Sequence, residues 1–155
     1  MHSLASRMQA DFGMNRDDLV SSIMRREFVS LDLGDTLDFA GDVMSLGQIR
    51  HLPVLEEGRL VGIVSQRDLL ASSLSKLLES DAGQQRSFLR NVRVTEVMNA
   101  APITVGPDTP TREAARLMLR HRIGCLPVVG ADGMPVGLLT ETDLLRVAYS
   151  APEGN

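Results

Sequence analysis

Two stretches of this sequence share one order of apolar runs and turn residues. In the first stretch, residues 52–55 and 60–64 are apolar, and Glu56-Glu57-Gly58 separates them. Two such runs around a short turn with a glycine are typical of a β-hairpin. On either side of this hairpin, apolar residues recur every three or four positions, which places them on one face of a helix. This stretch is therefore predicted to fold as strand, helix, strand, strand and helix.

The same pattern returns 74 residues later, so that Met24 matches Met98 and Leu52-Pro53-Val54 matches Leu126-Pro127-Val128. After the hairpin turn the shift is 75 residues, because one residue is added in a turn, where a duplicated fold tolerates insertions. The sequence thus predicts an α/β (α+β) protein with two βαββα repeats. Its predicted parts are an N-terminal arm (1–18), repeat 1 (19–78), a connector (79–93), repeat 2 (94–149) and a C-terminal tail (150–155).

Composition narrows the function classes. The chain is 43% hydrophobic with a net charge of −4, and no basic segment favours nucleic acid. No apolar run approaches the length of a membrane span, and the single cysteine excludes an internal disulfide, so we expect a cytoplasmic protein. The few His and Cys residues have no metal-ligand spacing, and no nucleophile elbow, phosphate-binding loop or carboxylate pair indicates catalysis. We expect no metal site and no enzymatic activity.

Each repeat ends in a strand that enters a helix through the pattern Gly-x-x-[Ser/Thr]-x-x-Asp. Asp68 closes this pattern in the first copy and Asp143 in the second, and each is predicted to begin its helix. Such an aspartate can accept hydrogen bonds from both hydroxyls of a ribose, and the amides and hydroxyls beside it can hold a phosphate. The alternative is that each aspartate only caps its helix. In the same way Asp35 and Thr109 are predicted as caps of the earlier helices.

The order of these motifs resembles that of a tandem pair of cystathionine beta-synthase (CBS) domains, the Bateman module. The resemblance rests on Met24 and Met98, the Ala-x-x-Val-Met and Ala-x-x-Leu-Met helices, the two Leu-Pro-Val strands and the two aspartate corners. It implies repeats related by a pseudo-twofold axis, two ligand clefts between them and assembly into a homodimer. It also implies a regulatory adenosyl ligand, namely AMP, ADP, ATP or S-adenosylmethionine, and no required cofactor.

Carried over residue by residue, the resemblance implies that each cleft combines residues of both copies. The preferred cleft would contain Met24, Val29, Ile49, Arg50, His51, Leu138, Thr140, Thr142 and Asp143. The second cleft would contain Met98, Ile103, Ile123, Ile63, Ser65, Arg67 and Asp68. The second corner is preferred because Thr142 supplies a hydroxyl where the first corner has Arg67. It stays open which cleft Arg50 and His51 serve, and His51 is equally explained as a surface residue.

These observations predict a stand-alone regulatory module that senses an adenosyl ligand. The alternative is a ligand-free module that dimerises or docks to an effector enzyme or transporter. Cys125 is expected to be a small core residue because its neighbours are apolar, although its place beside a cleft also permits redox sensing.

Overall fold

The first hairpin forms where the sequence predicts it. Strands β2 (His51–Glu56) and β3 (Arg59–Ser65) pair antiparallel, and the short strand β1 (Leu31–Asp32) runs parallel to β2. Between β2 and β3, Glu57 and Gly58 have φ angles of 49° and 78°. Two consecutive positive φ angles give the turn a twist that matches the twist of the strands. The predicted β-hairpin is therefore confirmed, and its sheet has the order β1-β2-β3.

The computed structural model describes residues 18–77 and 82–149. The remaining elements in those ranges are α1 (Val20–Ile23), α2 (Leu37–Gly47), α3 (Gln66–Leu77), α4 (Ala82–Asn91), a 3-10 helix (Val94–Glu96), α5 (Thr111–His121), β4 (Cys125–Val129), β5 (Pro135–Thr140) and α6 (Glu141–Tyr149). Strands β4 and β5 form the second sheet, and Val105 bridges to Val128 in parallel as Leu31 does to Val54. The βαββα order of both repeats is confirmed. The predicted tail and all of the predicted arm except Asp18 lie outside the described residues.

The helix starts correct the predicted caps. Thr36 caps α2, since its hydroxyl accepts from the amide of Phe39 at 3.3 Å, whereas Asp35 accepts from the amide of Asp32 at 2.8 Å. Thr109 likewise serves a turn, because its hydroxyl accepts from the amide of Gly106 at 3.1 Å. In both cases the side chain lies within reach of a backbone amide three residues earlier in the chain. The hydrogen bond to that amide competes with capping of the helix.

The chain divides into two compact units that do not coincide with the two repeats. One unit, here the Asp143 unit, contains the described residues of 1–27, 104–132 and 136–155. The other, the Asp68 unit, contains residues 28–103 and 133–135. The segment that enters repeat 1 therefore belongs with the sheet of repeat 2. In the same way the segment at Met98 belongs with the sheet of repeat 1.

Each unit has an aliphatic core. In the Asp68 unit, the helix α2 places Leu37, Ala40 and Met44 against the buried strand residues Leu52 and Val54. In the Asp143 unit the buried residues at the matching positions are Val20, Ala114, Met118, Leu126, Val128 and Leu139. Burial of aliphatic side chains supplies the main stabilising free energy of such a fold. The cores thereby fix the strand ends at which the candidate site lies.

Candidate functional site

At both aspartate corners, the hydroxyl residue just before the helix and the aspartate three residues later hydrogen-bond to each other in both directions. Thr140 precedes α6, and the Thr140 amide and hydroxyl donate to Oδ2 of Asp143 at 2.9 and 2.8 Å. The Asp143 amide in turn donates to the Thr140 hydroxyl at 3.3 Å. Ser65 and Asp68 repeat this arrangement at 2.8, 2.8 and 3.2 Å. Each pair is a capping box, which satisfies two free amides of the first helical turn.

The capping boxes correct the predicted helix starts. The helices begin at Gln66 and Glu141, so Asp68 and Asp143 are third in their helices and do not begin them. The reason is that the hydroxyl of Ser65 or Thr140 is already placed to accept the helix amide, while the longer aspartate side chain reaches back to the strand. The capping box therefore accounts for the hydrogen bonds of one carboxylate oxygen, Oδ2, of each aspartate. It does not account for the partners of the other oxygen, Oδ1.

At Asp143 this other oxygen is taken by an arginine. Arg25 Nε donates to Asp143 Oδ1 at 3.0 Å, and a guanidinium nitrogen of Arg146 lies 3.9 Å from the same oxygen. Asp143 is only 3% exposed, whereas the Arg25 side chain is 45% exposed. A buried carboxylate requires such partners, because desolvation of an uncompensated charge is costly.

At Asp68 no arginine pairs with the corresponding oxygen among the side chains that the structure describes. Asp68 is half-buried, and the hydrogen bonds that its carboxylate accepts from described residues are those of the capping box. The residue that matches Arg25 in the repeat alignment is Asn99, which is exposed and accepts from the amide of Ala101 at 3.1 Å. The two corners therefore differ in the partners of their carboxylates, since Arg25 and Arg146 of the Asp143 corner correspond to Asn99 and Ala71 in the other copy.

Backbone pairing holds Arg25 in place. Arg25 and Leu138 exchange two hydrogen bonds of 2.8 and 2.9 Å, so the start of the arginine side chain is fixed at the edge of β5. Gly137 permits this approach, since a β-carbon there would lie 2.8 Å from the Arg25 carbonyl oxygen and 2.8 Å from Met24 Sδ. Asn99 pairs with Ile63 beside Gly62 in the same way. Both corners are thus closed on one side by an entry segment.

The residues before the two Leu-Pro-Val strands give the corners different charges. Gly124 accepts from the amide of Glu141 at 3.0 Å, and the Glu141 carboxylate covers Gly124, whose added β-carbon would lie 3.2 Å from the carboxyl carbon. In the other unit the carbonyl of Arg50 accepts from the amide of Gln66 at 2.8 Å, and Arg50 is exposed. Beside its capping box, the Asp143 corner thus carries the acidic Glu141, whereas the Asp68 corner carries the basic Arg50.

Cys125 begins β4 beside the Asp143 corner and is 5% exposed. Burial, with a smaller contribution from the negative charge of Asp143, raises the pKa of its thiol from 9.0 to about 12. The thiolate is the reactive form of cysteine. The thiol is therefore protonated and unreactive at neutral pH, which favours its predicted role as a core residue.

The remaining predicted residues divide between the two units. From the preferred cleft, Met24, Leu138, Thr140, Thr142 and Asp143 lie together in the Asp143 unit, whereas Val29, Ile49, Arg50 and His51 lie in the Asp68 unit. From the second cleft, Met98, Ile103, Ile63, Ser65, Arg67 and Asp68 lie in the Asp68 unit, and Ile123 lies in the Asp143 unit. The completion of each cleft by residues of the other unit stays a prediction.

Sequence reasoning missed two charged residues at the Asp143 corner, Arg25 and Glu141. A signal for both was present in the repeat alignment, which places Arg25 opposite Asn99 and Glu141 opposite Gln66. The shared motifs consist of positions that match between the copies, so they do not include these two residues.

The described part of the chain holds neither a candidate metal site nor a membrane-spanning helix. Within residues 18–77 and 82–149, no three His, Cys, Asp or Glu side chains come together in a way that could hold a metal ion. None of the helices in those ranges has the length and apolarity to cross a bilayer.

Comparison with known proteins identifies similar chains. The family model described as CBS domain matches residues 20–75 and 94–150. A CBS domain-containing protein of Dictyostelium discoideum is 34% identical over 136 residues, which are 87% of this chain and 94% of that protein.

Two solved structures are similar in fold and carry ligands. CBSX2 of Arabidopsis thaliana in complex with AMP has a TM-score of 0.71 and 30% identity, covering 84% of this chain and 95% of that one. The CBS domain pair of protein MJ0100, in complex with 5′-methylthioadenosine and S-adenosyl-L-methionine, has a TM-score of 0.68 and 26% identity, with 84% and 94% covered.

Proposed function

Because this chain belongs to the CBS domain family, we propose that it is a regulatory module that binds an adenosyl ligand, foremost an adenine nucleotide. The observation that carries the proposal is the pair of corners in which Ser65 with Asp68, and Thr140 with Asp143, repeat one geometry at a strand end. Carboxylate and hydroxyl groups at this spacing suit the hydroxyls of a ribose. The similarity to CBS pairs that hold AMP or S-adenosyl-L-methionine supports the same ligand class.

The role of the ligand is regulation and not turnover. A ligand shifts the arrangement of a module only through different affinities for its arrangements, so occupancy can be passed on to a partner protein without any chemical step. We propose an effector enzyme or transporter as that partner and the cytoplasm as the location.

We also propose that the module is a homodimer. Leu145 and Tyr149 on α6 are 56% and 73% exposed, and Leu70 and Leu74 on α3 are 58% and 59% exposed. Large apolar side chains at helical spacing on a surface are typical of association faces. Light scattering coupled to gel filtration measures the mass directly, and a monomer at micromolar concentration would contradict this part of the proposal.

Thermal unfolding in the presence of AMP, ATP and S-adenosylmethionine tests the ligand proposal. A ligand that binds only the folded state stabilises it by about 2.7 kcal/mol at 100 times its dissociation constant. We expect a concentration-dependent rise in melting temperature for at least one of the three compounds. The Asp68→Ala and Asp143→Ala variants then assign the shift to a corner, and the double variant should lose it. No shift with any of the three would instead favour the ligand-free docking module.

A further inference from the structure

We infer that Arg25 decides which adenosyl ligands the Asp143 corner accepts. In the free protein its guanidinium occupies the carboxylate, and on binding of a nucleotide it transfers to the phosphate and releases Asp143 Oδ1 for the ribose. The corner would thereby select nucleotides over uncharged adenosine. The inference rests on the proposed function and specifies the ligand class of one corner.

The occupied carboxylate is the first step. Oδ2 of Asp143 accepts two hydrogen bonds from Thr140, and Oδ1 accepts one from Arg25 at 3.0 Å. With 3% of Asp143 exposed, a ribose hydroxyl reaches Oδ1 only if the guanidinium moves. A neutral ligand would then replace a charged donor by an uncharged one and leave the guanidinium without its acceptor, which is unfavourable because charge-assisted bonds are the stronger ones.

The mobility of the side chain is the second step. Strand pairing with Leu138 fixes the backbone of Arg25, while its side chain is 45% exposed and its interactions among the described residues are those with Asp143 and the strand. A guanidinium binds phosphate through two parallel N–H donors, so its terminal nitrogens can take up a phosphate at the rim of the corner. Arg146, 3.9 Å from Asp143 Oδ1, remains as a counter-charge when Arg25 leaves.

The acidic surroundings give the arginine its selective role. Glu141 covers Gly124 at the start of α6 and would repel a phosphate. Without the Arg25 side chain, the corner would therefore hold Asp143, Glu141 and the more distant Arg146. Of the arginines described in the Asp143 unit, only Arg25 lies within hydrogen-bond distance of Asp143, so we expect phosphate binding by this unit to depend on Arg25.

The Asp68 corner provides a control within the same chain. Its capping box has the same distances, but Asn99 stands in the place of Arg25 and bonds to its own backbone. Among the described side chains, no charged group is paired with Asp68 that a ribose would have to displace. We therefore expect this corner to accept adenosine, and the exposed Arg50 and Arg67 to add only a moderate preference for AMP.

Isothermal titration calorimetry measures the affinities for AMP and adenosine in variants that retain only one of the two aspartate corners. In the Asp68→Ala variant, the remaining Asp143 corner should bind AMP at least about tenfold more tightly than adenosine, because a hydrogen bond to a charged group contributes a free energy of this size. Adding Arg25→Asn should remove most of this tenfold difference in affinity. With Asp143→Ala, adding Asn99→Arg should raise the AMP-to-adenosine ratio of the Asp68 corner. Arg25→Gln is a second neutral variant. Because both substitutions remove a partner of a buried carboxylate, we expect them to lower the melting temperature, and a single cooperative unfolding transition well above the titration temperature shows that the fold is retained.

The outcomes separate the inference from the proposed function. If Arg25→Asn and Arg25→Gln weaken AMP and adenosine equally, or leave their ratio unchanged, Arg25 is a structural residue and the inference is overturned. If the wild-type protein binds neither compound nor S-adenosylmethionine, the proposed function itself fails. A ratio that falls with Arg25→Asn and rises with Asn99→Arg supports both.

Discussion

The substitution Gly137→Ala tests whether the entry segment is held on β5 by close backbone packing. An added methyl group would lie 2.8 Å from the Arg25 carbonyl oxygen, 2.8 Å from Met24 Sδ and 3.1 Å from Met24 Cγ. The methionine side chain can rotate away, but the carbonyl belongs to the strand pair with Leu138. The substitution therefore forces either strain or separation of the two strands.

Both routes cost a similar free energy. Keeping the pair and accepting an overpacked contact costs about 1–3 kcal/mol. Releasing the pair loses the two hydrogen bonds between Arg25 and Leu138, each contributing about 1 kcal/mol. We therefore expect Gly137→Ala to lower the free energy of unfolding by about 2 kcal/mol, which at a urea m-value of about 2 kcal/mol/M lowers the midpoint by about 1 M.

Gly41→Ala is the matched control, because Gly41 lies inside α2 and an added β-carbon meets nothing within 4 Å. There the same chemical change should stabilise by about 1 kcal/mol, since alanine favours the helix over glycine. Urea unfolding followed by circular dichroism measures both variants. A Gly137→Ala midpoint equal to that of wild type, or raised like that of Gly41→Ala, would refute the close-packing argument. Faster tryptic cleavage after Arg25 in Gly137→Ala would show that the strand pair has opened.

Three further predictions concern single buried or strained positions. Thr111→Val should stabilise by about 1 kcal/mol in urea unfolding, since the Thr111 hydroxyl is buried without a hydrogen-bond partner among the described residues, and a destabilised variant would contradict this. The free energy of unfolding should fall as pH rises from 9 to about 12, because burial raises the pKa of the Cys125 thiol and the unfolded chain therefore loses this proton at lower pH than the folded protein. Cys125→Ser should lose this part of the pH dependence. Gln48→Gly should stabilise by up to about 1 kcal/mol in thermal unfolding, because Gln48 ends α2 with φ 50°, and no gain would show that its side chain compensates the strain.

The sequence predicts the repeated βαββα order because that order depends on local signals. The glycine turn at Gly58 and the Leu-Pro-Val strands define the hairpins, and the spacing of Ala40 and Met44 defines a helix face. The cap positions are less predictable, since Thr36 competes with Asp35, and Thr140 with Asp143, over distances of one to three residues. Small differences in side-chain reach decide which residue bonds to the helix amides.

The ion pair between Arg25 and Asp143 could not be predicted from local patterns. It joins residues that are 118 positions apart, and it depends on the entry segment pairing with the strand of the other repeat. The sequence pattern favours the Asp143 corner because Thr142 completes it. It did not reveal that this carboxylate is the buried and paired one, because burial follows from the packing of distant segments.

The exchange of entry segments has a consequence for synthesis on the ribosome. Residues 28–103 form all of the Asp68 unit except 133–135, so most of that unit is available before the second sheet has been made. The ion pair can form only after Asp143, 118 residues after Arg25, has been synthesised. At typical translation rates, synthesis of these residues takes on the order of ten seconds. During that time Val20 and Met24, which are buried in the finished protein, have no partner strand. The earliest residues of the described chain are thus among the last to reach their final place, and nascent chains released before Leu138 would keep this segment open to chaperones and proteases.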